Sequence, residues 1–338
     1  MTFSVSDLAA YRIYQDLGIE GHEPQIFVPD GSSTETALSR VTHLWIGAHQ
    51  DDAEVADYYG IRKCYESKDE HFCAITLANG RGSPLVGEFA NMDAEEMVEV
   101  RRHEQIEAAI IGKYSAVIQT MFPSRIICDK EETAVTSDLV ALIRQMPNLK
   151  VIHTHNPADK HDTHVAVACR VKEALQQLPE RLSQLSVNGI EVWRKLDWMV
   201  DHITDNNGSK ISNPGKVMLD VSANPASAPN LDIDVLLPFR SQNTTRDYAI
   251  GSQASRESNG VFGIPHDTCQ ATRVTIAMDL MPAILGKTTY AGLTFDHIME
   301  LQNEQLARIA RHEKASSISM PQAVQTFVQE IKSLQRWH

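Results

Sequence analysis

The chain predicts an α/β protein: a doubly wound, Rossmann-like, mostly parallel sheet with helices on both faces, followed by a C-terminal extension of strands and helices. Three observations carry this. Short apolar runs recur at 42–48, 71–77, 115–121 and 149–153, each the length of a buried parallel strand. Helical patterns separate them, and this alternation is the mark of a doubly wound sheet. Ionisable residues gather directly behind the first and fourth runs, at the strand ends where open α/β sheets bind ligands.

An N-terminal helix and lead-in is expected over 1–40. "THLWIGA" (42–48) supplies the first strand and a helix over 53–66 follows. "HFCAITL" (71–77) is the second strand, and the helix over 93–112 has Gly112 placed to end it. "SAVIQTM" (115–121) leads to a helix over 132–146, and "LKVIH" (149–153) to one over 163–178. After Pro179 the alternation weakens: 191–198 and 216–222 read as strands and 203–215 as a polar Gly/Asn loop. Two amphipathic helices are expected at 294–312 and 321–336, the second with Val324, Phe327, Val328, Ile331 and Leu334 on one stripe. The division is then a lead-in (1–40), a central domain (41–245) and an extension (246–338) that packs on the same domain or forms an oligomer contact.

Composition narrows the function. Of 338 residues, 42% are hydrophobic and 22% charged, ordinary values for a globular chain. A formal charge of −13 repels polyphosphate and anionic membrane surfaces, and no basic stripe with interleaved aromatics offsets it, so nucleic-acid binding is disfavoured. No run reaches the length of a membrane span, and "MTFSVSDLAAYRIYQDLG" lacks a basic head followed by an apolar stretch, so a cytoplasmic location is expected. Cys64, Cys73, Cys128, Cys169 and Cys269 are odd in number and scattered, which fits neither a disulfide framework nor a cysteine zinc site.

The chemistry lies in "GAHQDDAEV" (47–55) and "HTHNPADKHDTH" (153–164). In the strand order 3-2-1-4 the first and fourth strands are neighbours, so the two clusters should face each other. His49 with Asp52, and His161 with His164, are i, i+3 pairs that a helical first turn would put on one face. Two histidines and one aspartate around a metal leave a position open for water, the pattern of a catalytic zinc site, with Asp51 as a spare carboxylate beside it. The metal-binding histidines of the two clusters should then stand within roughly 4–5 Å of each other, the reach of two Zn–N bonds of about 2 Å. Read singly, an Asp-Asp pair after a strand is a helix cap and a lone histidine a hydrogen-bonded side chain; both clusters at complementary strand ends tip the balance towards metal.

"AHQDDAEVADYYG" resembles the AHPDDxE signature of the LmbE-like (PIG-L) family of metal-dependent N-deacetylases, and "HDTHVAV" resembles its second HxxH motif. "TLANGRG" (76–82), "VRRHEQIEAAIIG" (100–112) and "LDVS…LLPFRSQN" (219–243) are further matches, so the likeness spans roughly 40 to 245. The resemblance implies that His49, Asp52 and His164 bind Zn²⁺, or another divalent ion such as Fe²⁺. It implies Asp51 as general base and His161 as general acid or oxyanion stabiliser. The implied partner is a small N-acylated molecule, an amino sugar or its conjugate. Gln50 stands where the family has proline and Thr163 where it has aspartate, with Asp162 one place earlier; neither departure removes a metal ligand.

Other polar residues carry weaker signals. Arg101 could contact a sugar hydroxyl or phosphate, or form a surface ion pair with Glu104 or Asp93. Asn79 and Arg81 follow the second strand and should share the metal's rim. Arg240 and Gln242 close the pocket or cap a helix end. His153 and His155 read as packed strand histidines, and His266 with Asp267 as a structural pair. The competing functions are a non-catalytic ligand-binding α/β protein, a metal amidase acting on a non-sugar conjugate, and a two-His-one-carboxylate iron oxygenase, in which Asp51 has no evident role.

Overall fold

The computed structural model describes residues 3–17, 23–197, 199, 201–204, 208–244, 246–262 and 271–287. The helices expected at 294–312 and 321–336, and the His266/Asp267 pair, lie outside these residues. Ten strands are found among the described residues: β1 (Gln25–Phe27), β2 (His43–Gly47), β3 (Phe72–Ala78), β4 (Ala116–Phe122), β5 (Val151–His155), β6 (Ser186–Ile190), β7 (His202–Thr204), β8 (Lys210–Ser212), β9 (Lys216–Asp220) and β10 (Val274–Asp279).

Eight of them form one sheet in the order β1-β4-β3-β2-β5-β6-β10-β9. Its centre is parallel, β4-β3-β2-β5-β6, and contains the expected 3-2-1-4 order. The edges are antiparallel: β1 on β4, and β10 between β6 and β9. β7 and β8 make a separate hairpin, which corrects the expected 203–215 loop.

Strand period sorts the core into two layers. Leu44 and Ile46 of β2, with Cys73, Ile75 and Leu77 of β3, face a core that includes Leu139, Val167 and Leu175. Trp45, Phe72, Ala74 and Val117 face the opposite core, with Ile61, Tyr114 and Phe239. Helices therefore cover both faces, as a sheet buried on both sides requires.

The long helices fall at Ala94–Ile111, Ala134–Arg144 and Asp162–Gln176, near their expected positions. The first starts at a capping box: Asp93 accepts from Glu95 N and Glu96 N, and Glu96 accepts from Asp93 N. The helix expected over 53–66 is broken into Asp52–Ala56 and Tyr58–Tyr65. Asp57 causes the break, since its buried carboxylate caps Gly60 N at 3.0 Å and lies 2.7 Å from His153 Nδ1.

The strand expected at 191–198 is also corrected. The strand is Ser186–Ile190, and beyond Glu191 the chain turns away into a loop. Asn188 and Gly189 weaken its sequence signal, yet Gly189 is needed: a Cβ there would stand 2.9 Å from Asn156 Cα. No described helix is long and apolar enough to cross a membrane.

Candidate metal centre

β2 and β5 are adjacent and parallel, paired from His43 with Val151 to Ile46 with Thr154, so the turns behind them leave the sheet side by side. Behind β2, His49 N–H donates to Asp52 Oδ2 at 2.7 Å and Asp52 N–H to His49 O at 3.4 Å, closing a tight turn. Between them Asp51 takes φ 100° and ψ −25°, a left-handed conformation that costs a non-glycine residue strain. His49 and Asp52 are thus brought together by this turn, and the helix begins only at Asp52; a shared helical turn does not do it. His161 is likewise the extended residue before its helix, yet its ring stacks on His164 at 4.6 Å and 24°.

The donor atoms converge. His49 Nδ1 lies 3.2 Å from His164 Nε2, and Asp52 presents Oδ2 at 3.4 Å to the first and Oδ1 at 3.4 Å to the second. Ligands bound at about 2.0–2.1 Å to one tetrahedral ion stand about 3.3 Å apart, so these residues fit a divalent metal. A second overlapping set, His155, Asp159 and His164, also brings its donor atoms within 4.8 Å of one another.

Asp159 organises the far side. Its Oδ1 accepts His161 N–H at 3.0 Å and lies 3.6 Å from His164 Nδ1, while Oδ2 accepts Trp193 N–H at 3.3 Å. This carboxylate stands behind the imidazole whose Nε2 joins the donor cluster, where it would fix the ring's orientation towards a bound ion. Asp162, which stands one place before the position where the resembled motif has aspartate, is exposed on the surface. His155 stacks on His164 at 3.7 Å and 17°, with Nε2 3.1 Å from Asp52 Oδ2, so this strand histidine is part of the cluster.

Electrostatics separates the two aspartates. Burial pushes the Asp51 carboxyl above its ordinary value, against the pull of Arg101. Burial also works against the Asp52 charge, but His164 and His155 outweigh it and hold that carboxyl well below the usual range. Burial, with His164 and His49 close by, lowers His161, and burial brings His155 to about 4.

The donors open onto a cleft of about 380 Å³, lined by His49, Asp51, Asp52, His161, Arg101 and Gln242 among others. Arg101 is 2% exposed, with Nη2 bonded to Gln50 O and 3.4 Å from Asp51 Oδ1 and Nη1 4.0 Å from Glu104, so the expected pair with Glu104 is buried and not on the surface. Three residues named from sequence are not on this lining. Asn79 donates to Tyr14 Oη at 3.4 Å, Arg81 pairs with Glu95 at 2.6 Å, and Arg240 pairs with Glu88 at 2.7 Å. Sequence reasoning missed Trp193, Arg246 and Tyr248, which do line it. Trp193 and Tyr248 meet edge to face at 6.2 Å with Arg246 over the indole at 5.6 Å. Trp193 and Tyr248 carried only the signal of an aromatic side chain, and Arg246 none.

Residues 44–175 match the family model described as PIG-L: GlcNAc-PI de-N-acetylase. No curated protein matches the chain. Among solved structures, the A40926 pseudoaglycone deacetylase Dbv21 is similar at TM-score 0.50 and 13% identity, over 71% of this chain and 97% of that one. The N,N'-diacetylchitobiose deacetylase from Pyrococcus horikoshii is similar at TM-score 0.51 and 13% identity, over 75% of this chain and 90% of that one. At such identity the likeness is one of fold.

Proposed function

We infer that this chain, which matches the PIG-L family model over residues 44–175, is a zinc-dependent N-deacetylase that removes an acetyl or similar acyl group from an amino-sugar-like substrate. The observation that carries the reading is the His49/Asp52/His164 triad at 3.2–3.4 Å with a separate buried carboxylate, Asp51, on the same cleft. A divalent ion held there would supply a water of pKa about 7 and polarise the amide carbonyl.

The protein's own groups do the rest. Asp51 is kept out of the triad by its left-handed backbone and held by Arg101, and it takes the proton of the attacking water. His161, on the cleft wall, offers an N–H to the developing oxyanion, and the proton that Asp51 has taken passes to the leaving amine. The rings of Trp193 and Tyr248 give a sugar face an apolar surface to lie on.

Amine release from a panel of N-acetylglucosaminides, with metal content measured in parallel, tests this. Asp51→Asn should keep its metal and lose roughly 10²–10⁴-fold in turnover through loss of the base. Asp52→Asn should lose metal affinity, with activity partly restored by excess zinc. Near-normal turnover in Asp51→Asn, or full metal occupancy in His164→Ala, would show the roles to be assigned wrongly.

A further inference from the structure

A second cavity of about 190 Å³ opens beside the metal-centred cleft and shares Val55, Val192, Trp193 and Tyr248 with it. Its remaining wall includes Glu191, Ser252, Ser255, Arg256 and Thr275. Arg256 is 3% exposed, yet among the described residues no carboxylate lies within ion-pair distance of it. Its Nη2 donates to the carbonyls of Glu54 and Val55, each at 3.1 Å, and its guanidinium stands 4.9 Å over the Tyr58 ring. Nε and Nη1 are buried without a hydrogen-bond acceptor, and so is the Thr275 hydroxyl on the same wall. A buried cation with uncommitted donors is costly unless an anion joins it.

Asp232 offsets part of this charge through space but pairs with Arg273 at 2.5 Å, and Glu191 does not complete the role. Its carboxylate already accepts Leu196 N–H at 3.0 Å, Ile276 N–H at 3.1 Å and the Asn259 amide, with Lys195 at 3.6 Å. Arg246 adds a further cation at the adjoining cleft. The cavity is smaller than the roughly 300–1,000 Å³ that takes a whole ligand, so it suits a side group. One cation and one hydroxyl match a single negative charge.

We propose that this cavity is a carboxylate subsite, in which Arg256 and Thr275 hold an acidic side group of the substrate whose amide lies at the metal centre. The identity of that molecule as the substrate rests on the deacetylase reading; occupation of the cavity does not. The full-length chain is titrated calorimetrically with lactate, and with neutral lactamide at matched ionic strength. Lactate should bind saturably, and should still bind in His164→Ala, which lacks a metal-facing donor. Binding should fall about tenfold in Arg256→Lys and severalfold in Thr275→Val, while lactamide should not bind. If Arg256→Lys does not fold by circular dichroism, the isosteric Thr275→Val carries the comparison. Lactate binding unchanged by these substitutions, equal binding of lactamide, or no saturable binding below about 20 mM overturns the proposal. Because the titration reads binding alone, a chain that takes lactate in this way but releases no amine would sink the reaction and leave the subsite standing.

Discussion

Asp159 shows how a single side chain can replace a missing motif position. The second histidine motif has Thr163 where the motif it resembles has aspartate, and Thr163 cannot carry negative charge towards His164. Asp159, two residues before His161, reaches both the His161 N–H and the back of the His164 ring because a bend separates β5 from the following helix. Its other oxygen ties down Trp193, so the metal face and the aromatic wall share one carboxylate. Asp159→Asn keeps the shape but removes the charge, and should weaken zinc affinity roughly 10–100-fold. Competition against a chelating dye measures this; an unchanged affinity would reduce Asp159 to a loop-capping residue.

At the level of elements, a buried carboxylate fastens the N-terminal helix to the sheet's covering layer. Asp138, on the helix Ala134–Arg144, accepts Ala9 N–H at 2.6 Å and Ala10 N–H at 2.9 Å, capping the helix Ala9–Leu17 from outside. Burial pushes its carboxyl up from an ordinary 3.8 to about 6, in spite of those two amides. A raised carboxyl favours the neutral form in the fold, so its contribution is fullest below pH 3.8 and is lost as pH rises to about 6. The loss is on the order of 3 kcal/mol. Asp138→Asn has no such titration. The stability difference between wild type and variant, from denaturant unfolding, should therefore shift in the variant's favour by about that amount between pH 4 and 7.5. A difference that stays constant across this range would remove Asp138 as a source of pH dependence.

For the whole molecule, two like-charged aspartates and four histidines meet where two turns leave one sheet, an arrangement the apo chain holds only at a cost. A divalent ion bound by the folded state alone relieves that cost and adds stability by mass action, about 4 kcal/mol at a thousandfold excess over the dissociation constant. Zinc should raise the Tm by roughly 5–15 °C and chelation should reverse it. His164→Ala should show neither effect. A Tm indifferent to zinc and chelator in the wild type would argue that no metal is held by this cluster.

Much of this was legible in the residues themselves. Apolar runs behind which ionisable groups collect can be read because burial demands local apolarity and strand ends are where an open sheet exposes its ligands, so 42–48 and 149–153 declared both the sheet and its working edge. The order of the parallel strands was read as the common doubly wound arrangement, 3-2-1-4, and the sheet contains it. Residue contacts from distant segments carry no such local mark. That Asp51 takes a left-handed φ, that Asp159 rather than Asp162 faces His164, that Val192 and Trp193 line the cleft, and that Arg256 comes to rest behind the helix bearing Asp52 were decided by packing. Local pattern fixes which face of an element is buried; which polar group meets another across 100 or 200 residues depends on turn geometry and on how neighbouring layers close.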